Sequence, residues 1–115
     1  MKRKILFYGN YFLDFYRSQN EKTKEKIDFV LDLIRNIERV PKKFLKFLEG
    51  TDSLYEIRIV VVSGSIRIFS FFDEGRQIIL INCFTKKTNK TPKSELKKAI
   101  KLKEEYFIEK AKRKS

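Results

Sequence analysis

The residues best suited to chemistry lie in the second half of the chain. Arg58 sits in LYEIRIVV, Arg67 in SGSIRIFSFF, and Lys86, Lys87 and Lys90 in FTKKTNKTPK. A guanidinium offers planar paired donors that match phosphate oxygens and stays charged at any working pH. If the strands around Arg58 and Arg67 are joined by the short turn at 63–65, both side chains emerge on one face of a sheet and form an anion site. Lys86, Lys87 and Lys90, with Lys93 beyond them, leave the next strand nearby and extend the patch. Phe69 and Phe71 alternate with Arg67 and offer stacking surfaces for unpaired bases, unless the C-terminal segment covers them. Glu56 shares the face of Arg58 and is placed for an ion pair. The same arginines could equally cap the solvent side of a sheet, and the lysines could line a hydrated loop.

The elements that must position these groups follow from periodicity. Residues 4–8 read as a first strand, and Asn10 precedes a short helix carrying Phe12, Leu13, Phe15 and Tyr16. A second helix starts near Glu21, and Ile27, Val30, Leu31, Ile34 and Ile37 form one apolar stripe that should face a sheet. Pro41 ends it, and residues 41–50 read as a short helical or irregular connector. Residues 54–62 put Tyr55, Ile57, Ile59 and Val61 on the core face, with Leu54, Glu56, Arg58 and Val60 on the other. Residues 66–72 and 78–84 complete the hairpins, the last being apolar almost throughout, as a central strand would be. Thr91, Pro92 and Ser94 mark the start of a C-terminal helix with a narrow apolar side of Leu96, Ala99, Ile100, Leu102 and Tyr106. That helix either packs on the domain or acts as a movable lever.

A chain of 115 residues is the size of one domain, and 42% hydrophobic residues suffice for a core. Residues 1–109 are expected to form that domain and 110–115 a flexible basic tail. The formal net charge of +12 favours polyanions, nucleic acid first. Twelve basic residues stand against four acidic ones from position 86 onward, so two thirds of the excess lies in the last 30 residues. With no histidine and one cysteine, Cys83, there is no zinc-type ligand set, no histidine-based triad and no internal disulfide. No metal or cofactor is expected. The basic start carries too short an apolar run for a signal peptide, and no stretch is long enough to span a bilayer, so a cytoplasmic location away from membranes is expected.

The runs LYEIRI, SGSIRIFSFFDEG and IILINCFTKKTNKTPKSELKKA together resemble the RelE-like toxins of bacterial type II toxin-antitoxin systems, most closely the HigB-like branch found in phage-derived loci. The likeness runs from the first strand to the last helix and is most specific over 54–99. It implies a microbial-ribonuclease-like α+β fold, with the N-terminal strand and helices on one face of a mainly antiparallel sheet and a C-terminal helix. It implies a metal-independent endoribonuclease that cuts messenger RNA on the ribosome and inhibits translation. It also implies a cognate antitoxin, a helix-turn-helix DNA-binding protein, held in a toxin-antitoxin hetero-oligomer.

By position, the resemblance matches Arg58 and Arg67 to basic residues used for RNA binding and transition-state stabilisation, Lys86 and Lys87 to the basic pair after the last long strand, and Lys90 to a recurrent lysine; with the patch read above, the expected catalytic set is Arg58, Arg67, Lys87 and Glu56 and the expected RNA contacts are Lys86, Lys90, Lys93, Phe69 and Phe71. The implied reaction is attack of a ribose 2′-hydroxyl on the adjacent phosphate, which needs charge stabilisation and two proton transfers. The sequence departs from several relatives in having no histidine, no tyrosine just after the basic pair, and Glu56 where some carry lysine. Either Glu56 or a lysine whose pKa is lowered by its cationic neighbours takes up the proton. Two other functions remain open on the same residues: inhibition of DNA gyrase in the manner of ParE, and nucleic-acid binding without catalysis.

Overall fold

The computed structural model describes residues 2–88 and 90–114. Five strands, β1 (Lys4–Phe7), β2 (Leu45–Leu48), β3 (Leu54–Val61), β4 (Gly64–Asp73) and β5 (Gln77–Lys86), accompany three helices, α1 (Tyr11–Arg17), α2 (Glu21–Asn36) and α3 (Lys93–Lys114). The strands form one sheet in the order β1-β5-β4-β3-β2. β2 to β5 pair antiparallel with their neighbours, and β1 lies parallel to β5, giving the expected α+β, mainly antiparallel architecture.

The pleat divides the apolar residues between two layers. On one face Ile57, Ile59, Ile66, Ile68, Ile78 and Leu80 pack against Phe12 of α1 and the stripe Ile27, Val30, Leu31 and Ile34 of α2. On the other, Leu54, Phe69, Phe71, Ile79 and Ile81 pack against Ala99 and Leu102 of α3. Being covered on both sides is why β5 reads as a continuous apolar run. The C-terminal helix, left open between packing and lever, therefore lies on the opposite face from α1 and α2.

Helix ends follow local chemistry. Asn20 caps α2 by accepting the Thr23 N–H at 2.8 Å. The far end stops at Asn36, short of the expected Pro41, because Arg3 caps it: its guanidinium donates to the carbonyls of Ile34, Ile37 and Glu38 at 2.9, 2.7 and 2.8 Å.

Three expectations are corrected. The turn placed at 63–65 lies at Val62–Ser63, and Gly64 and Ser65 open β4 opposite Val61 and Val60. The connector over 41–50 contains the edge strand β2: Phe44 and Leu45 N–H groups close a turn on the Pro41 carbonyl at 2.9 and 3.1 Å, and the chain then pairs Lys46 with Glu56 and Phe47 with Tyr55. The expected tail at 110–115 is helical through Lys114. Lys110 donates to Asp73 at 2.7 Å and to Glu74 at 2.9 Å, which holds the last turns against the β4–β5 corner.

Candidate functional site

Register across β3, β4 and β5 creates the site. Arg58 stands directly opposite Arg67, Glu56 opposite Phe69, and Lys86 opposite Ser65. Because facing residues of an antiparallel pair share a side of the sheet, Glu56, Arg58, Arg67, Ser65 and Lys86 converge on the face that α3 covers elsewhere. α3 begins only at Lys93, so this end of the face lies beyond the helix; Glu56, Ser65 and Lys86 are nonetheless buried there, and of the five only Arg58 is exposed.

Within the cluster the groups differ sharply in exposure. Arg67 is clamped: its Nη1 donates to Glu56 Oε1 in an ion pair whose side chains are 13% and 4% exposed, and its Nε donates to Ser65 Oγ at 2.9 Å. Two fixed donations leave its remaining N–H groups aimed by the protein, which lowers the cost of ordering them around an anion. Arg58, by contrast, is exposed.

Lys86 is nearly buried, and its ammonium donates to Thr91 Oγ1 at 3.3 Å. Burial, and then the positive charge of Arg67, pull its pKa below the ordinary lysine value, with Glu56 opposing the shift. The backbone at this point tolerates no side chain on its neighbour. Gly64 has φ of +144°, and a Cβ there would collide with the Lys86 carbonyl.

The remaining sequence candidates are placed as follows. Lys87, Lys90 and Lys93 are exposed along the β5–α3 connection, whose Asn89 lies outside the described residues. Phe69 and Phe71 do not reach solvent. Both are fully buried beneath α3, Phe69 beside Phe84 at 5.5 Å between ring centroids and Phe71 beside Tyr106 at 5.2 Å. They are core residues, and stacking on bases is closed to them in this arrangement, because α3 takes the surface they would offer. At Cys83 burial, with the Glu95 charge, pushes the thiol up to about 12, which disfavours the reactive thiolate. Among the described residues no group of acidic, cysteine or histidine side chains could hold a metal ion. No helix there is long and apolar enough to cross a membrane.

Sequence reasoning missed three contributors. Lys46 pairs with Glu56 across β2 and β3, and its charge reaches Lys86. Ser65 and Thr91 supply the hydroxyls that hold Arg67 and Lys86. The run LKFL lacks alternation, so only its pairing with β3 reveals Lys46. Beside it, a groove of about 590 Å³ lies between β2 and the start of α3, lined by Lys42, Lys46, Thr51, Thr91 and Leu96 among others.

Polar ties add to the apolar packing that holds α3 over this face. Asn82 Nδ2 donates to the carbonyl and to Oε1 of Glu95, both at 3.0 Å, and Lys103 donates to the Asp52 carbonyl. At its other end Tyr106 and Lys110 each donate to Asp73 at 2.7 Å. Burial raises the Asp73 pKa, but these two donors outweigh it and hold the carboxyl below its ordinary value.

Solved structures share this architecture. The E. coli toxin RelE, as a double arginine-to-alanine mutant in the free state, matches over 87% of this chain and 95% of its own at 19% identity, with a TM-score of 0.59. The archaeal RelE from the RelE-RelB complex of Pyrococcus horikoshii matches over 78% and 100% at 17% identity, with a TM-score of 0.56. No curated protein matches the sequence at a significant level. The family model described as "Phage derived protein Gp49-like (DUF891)" matches residues 14–104, most of the chain. With that match and this fold, the chain belongs to the Gp49-like family of phage-derived proteins and carries the RelE toxin fold.

Proposed function

We propose that the chain is the toxin of a type II toxin-antitoxin pair and that it acts as a ribosome-dependent, metal-independent mRNA endoribonuclease, inhibiting translation. The observation that carries this reading is the clamped Arg67, opposite an exposed Arg58 and next to a nearly buried Lys86. Such an arrangement suits a reaction in which charge builds on phosphorus while a proton must leave a sugar hydroxyl.

In the proposed reaction the ribose 2′-oxygen attacks the adjacent phosphorus, the P–O5′ bond breaks, and a 2′,3′-cyclic phosphate forms. Arg67 and Arg58 bind the non-bridging oxygens, where the extra negative charge develops. Neutral Lys86 accepts the 2′-proton; its lowered pKa raises the neutral fraction available for this step. Glu56 serves as a positioning residue, because its carboxylate is buried and occupied by Arg67. Exposed, protonated Lys87 donates a proton to the leaving 5′-oxygen as the P–O5′ bond breaks, giving a free 5′-hydroxyl. Lys90, Lys93 and Lys46 extend a basic path for the RNA backbone.

A defined transcript in a translation extract tests the reading. New 5′ ends are expected when the transcript is translated and not when initiation is blocked; an intact translated transcript contradicts it. A supercoiling assay run beside it should leave DNA gyrase active, and loss of supercoiling with intact RNA would favour the ParE-like alternative.

The partner in this reading is a cognate antitoxin, supported by the archaeal structural relative's occurrence in a RelE-RelB complex.

A further inference from the structure

β5 does not run as a regular ladder. Ile68 stands opposite Cys83 and Ser70 opposite Leu80, so Phe69 alone faces two residues, Ile81 and Asn82. That two-against-one count is a β-bulge, and it reverses the alternation of everything after it. Ile79 and Ile81 pack on the α3 face, and a regular strand would turn Cys83, Thr85 and Lys87 to the same side. The bulge turns Phe84 and Lys86 there instead, opposite Arg67 and Ser65. Of two adjacent lysines it thereby selects Lys86 for the cluster and leaves Lys87 exposed.

Asn82 is a costly residue for this place. It is 1% exposed, and its Oδ1 has no partner among the described residues, a loss of stability that an apolar side chain would avoid. The other end of the amide is fully used: Nδ2 donates to the carbonyl and to Oε1 of Glu95, in the first turn of α3, both at 3.0 Å. A carbonyl can only accept, so the amide's orientation is fixed. From Glu95 the path to Lys86 is short. The N–H groups of Glu95 and Leu96 bond to the Pro92 carbonyl at 3.2 Å, and the neighbouring Thr91 accepts from the Lys86 ammonium at 3.3 Å. Lys86 is influenced by Arg67 on β4, Glu56 and Arg58 on β3 and Lys46 on β2. Three of those four are cations and push the ammonium outward, so something must hold it in.

We propose that Asn82 is a positioning residue for the reaction: its bulge brings Lys86 into the phosphate cluster, and its amide, through Glu95 and Pro92, holds the Thr91 hydroxyl against the ammonium. The proposal rests on the reading of Lys86 as the proton acceptor. It also explains why a buried strand keeps an amide at the expense of an unpaired oxygen.

The test uses the full chain and two readouts: an NMR titration of the Lys86 side chain without ribosomes, and the pH profile of transcript cleavage on programmed ribosomes. Asn82→Leu keeps the bulk and removes both donations. With Thr91 released the ammonium moves toward water, so the Lys86 pKa should rise toward the ordinary lysine value. A base with a raised pKa is less often neutral at pH 7, so cleavage there should fall at least about tenfold and recover toward the wild-type rate at high pH. Glu95→Gln keeps an acceptor for Nδ2 and should match wild type in both readouts. Tyr106→Phe loosens the far end of α3 and should leave both in place. Glu95→Ala removes one of the two acceptors; it should move both readouts the same way by less, and it carries the test if Asn82→Leu does not fold. A folded variant in which Lys86 titrates as in wild type, a loss of cleavage equal at every pH, or an equal shift in Tyr106→Phe would overturn the proposal. The titration separates it from the nuclease reading. A wild type that cuts RNA while the Lys86 titration ignores Asn82→Leu sinks the role of Asn82 alone, whereas a shifted titration in a chain that never cuts sinks the nuclease reading and leaves the tie between Asn82 and Lys86.

Discussion

At the residue scale the account rests on a buried ion pair and a depressed lysine. Removing Arg67 leaves the carboxylate of Glu56 buried without its partner, and an uncompensated buried charge costs about 3–5 kcal/mol. Arg67→Ala is therefore expected to lower stability markedly in chemical denaturation, and adding Glu56→Gln should recover a large part of the loss. Lys86 carries a sign that kinetics can read. Its folded pKa lies below the ordinary lysine value, and a base works when deprotonated, so cleavage should rise with pH through that depressed value. Lys86→Arg remains protonated throughout and should both slow the reaction and abolish the rise. A profile that keeps its rise in Lys86→Arg would remove the proton acceptor from this position.

At the element scale, one joint shapes the site and another fastens the far end of the helix that covers its face. Gly64→Ala sets a Cβ against the Lys86 carbonyl at a φ that L-residues rarely adopt, and a cost of about 1–3 kcal/mol is expected, with activity falling further because Lys86 shifts. Asp73 fastens the end of α3. Its depressed pKa means that the ionised form contributes stability above the ordinary aspartate value of 3.8, and that this contribution disappears as pH falls through the lower folded-state value. Asp73→Asn should thus cost about 1–3 kcal/mol near neutral pH and show a shallower acid loss than wild type in thermal melts. These elements also mark how far the sequence could be read. Alternation was enough to put Arg58 and Arg67 on one face, but not to pair them: the turn lies at Val62–Ser63 and not at 63–65, and only the resulting pairing of Val61 with Gly64 sets Arg58 opposite Arg67. Alternation could not say which layer would cover Phe69 and Phe71, since that depends on where α3 lands after an irregular connection. β2 escaped notice because four residues without a period-two pattern become a strand only through pairing with β3.

At the scale of the whole molecule, the charge of +12, two thirds of it from position 86 onward, would make the proposed binding to RNA an electrostatic event. Affinity for single-stranded RNA should fall steeply with salt, and Lys90→Ala or Lys93→Ala should each reduce the slope of log affinity against log salt by about 0.7. An unchanged slope would take those lysines off the RNA path. Charge alone gives binding, however, and the central claim concerns catalysis by a clamped arginine. The most direct measurement is the single-turnover rate of transcript cleavage on programmed ribosomes, comparing wild type with the Arg67→Ala, Glu56→Gln double variant, which leaves no unpaired buried charge. A loss of at least about a hundredfold is expected, in line with removal of one preorganised donor from a transition-state site, while the fold is retained. A double variant that cuts within a few-fold of wild type, or a folded wild type that leaves the transcript whole, would contradict the account.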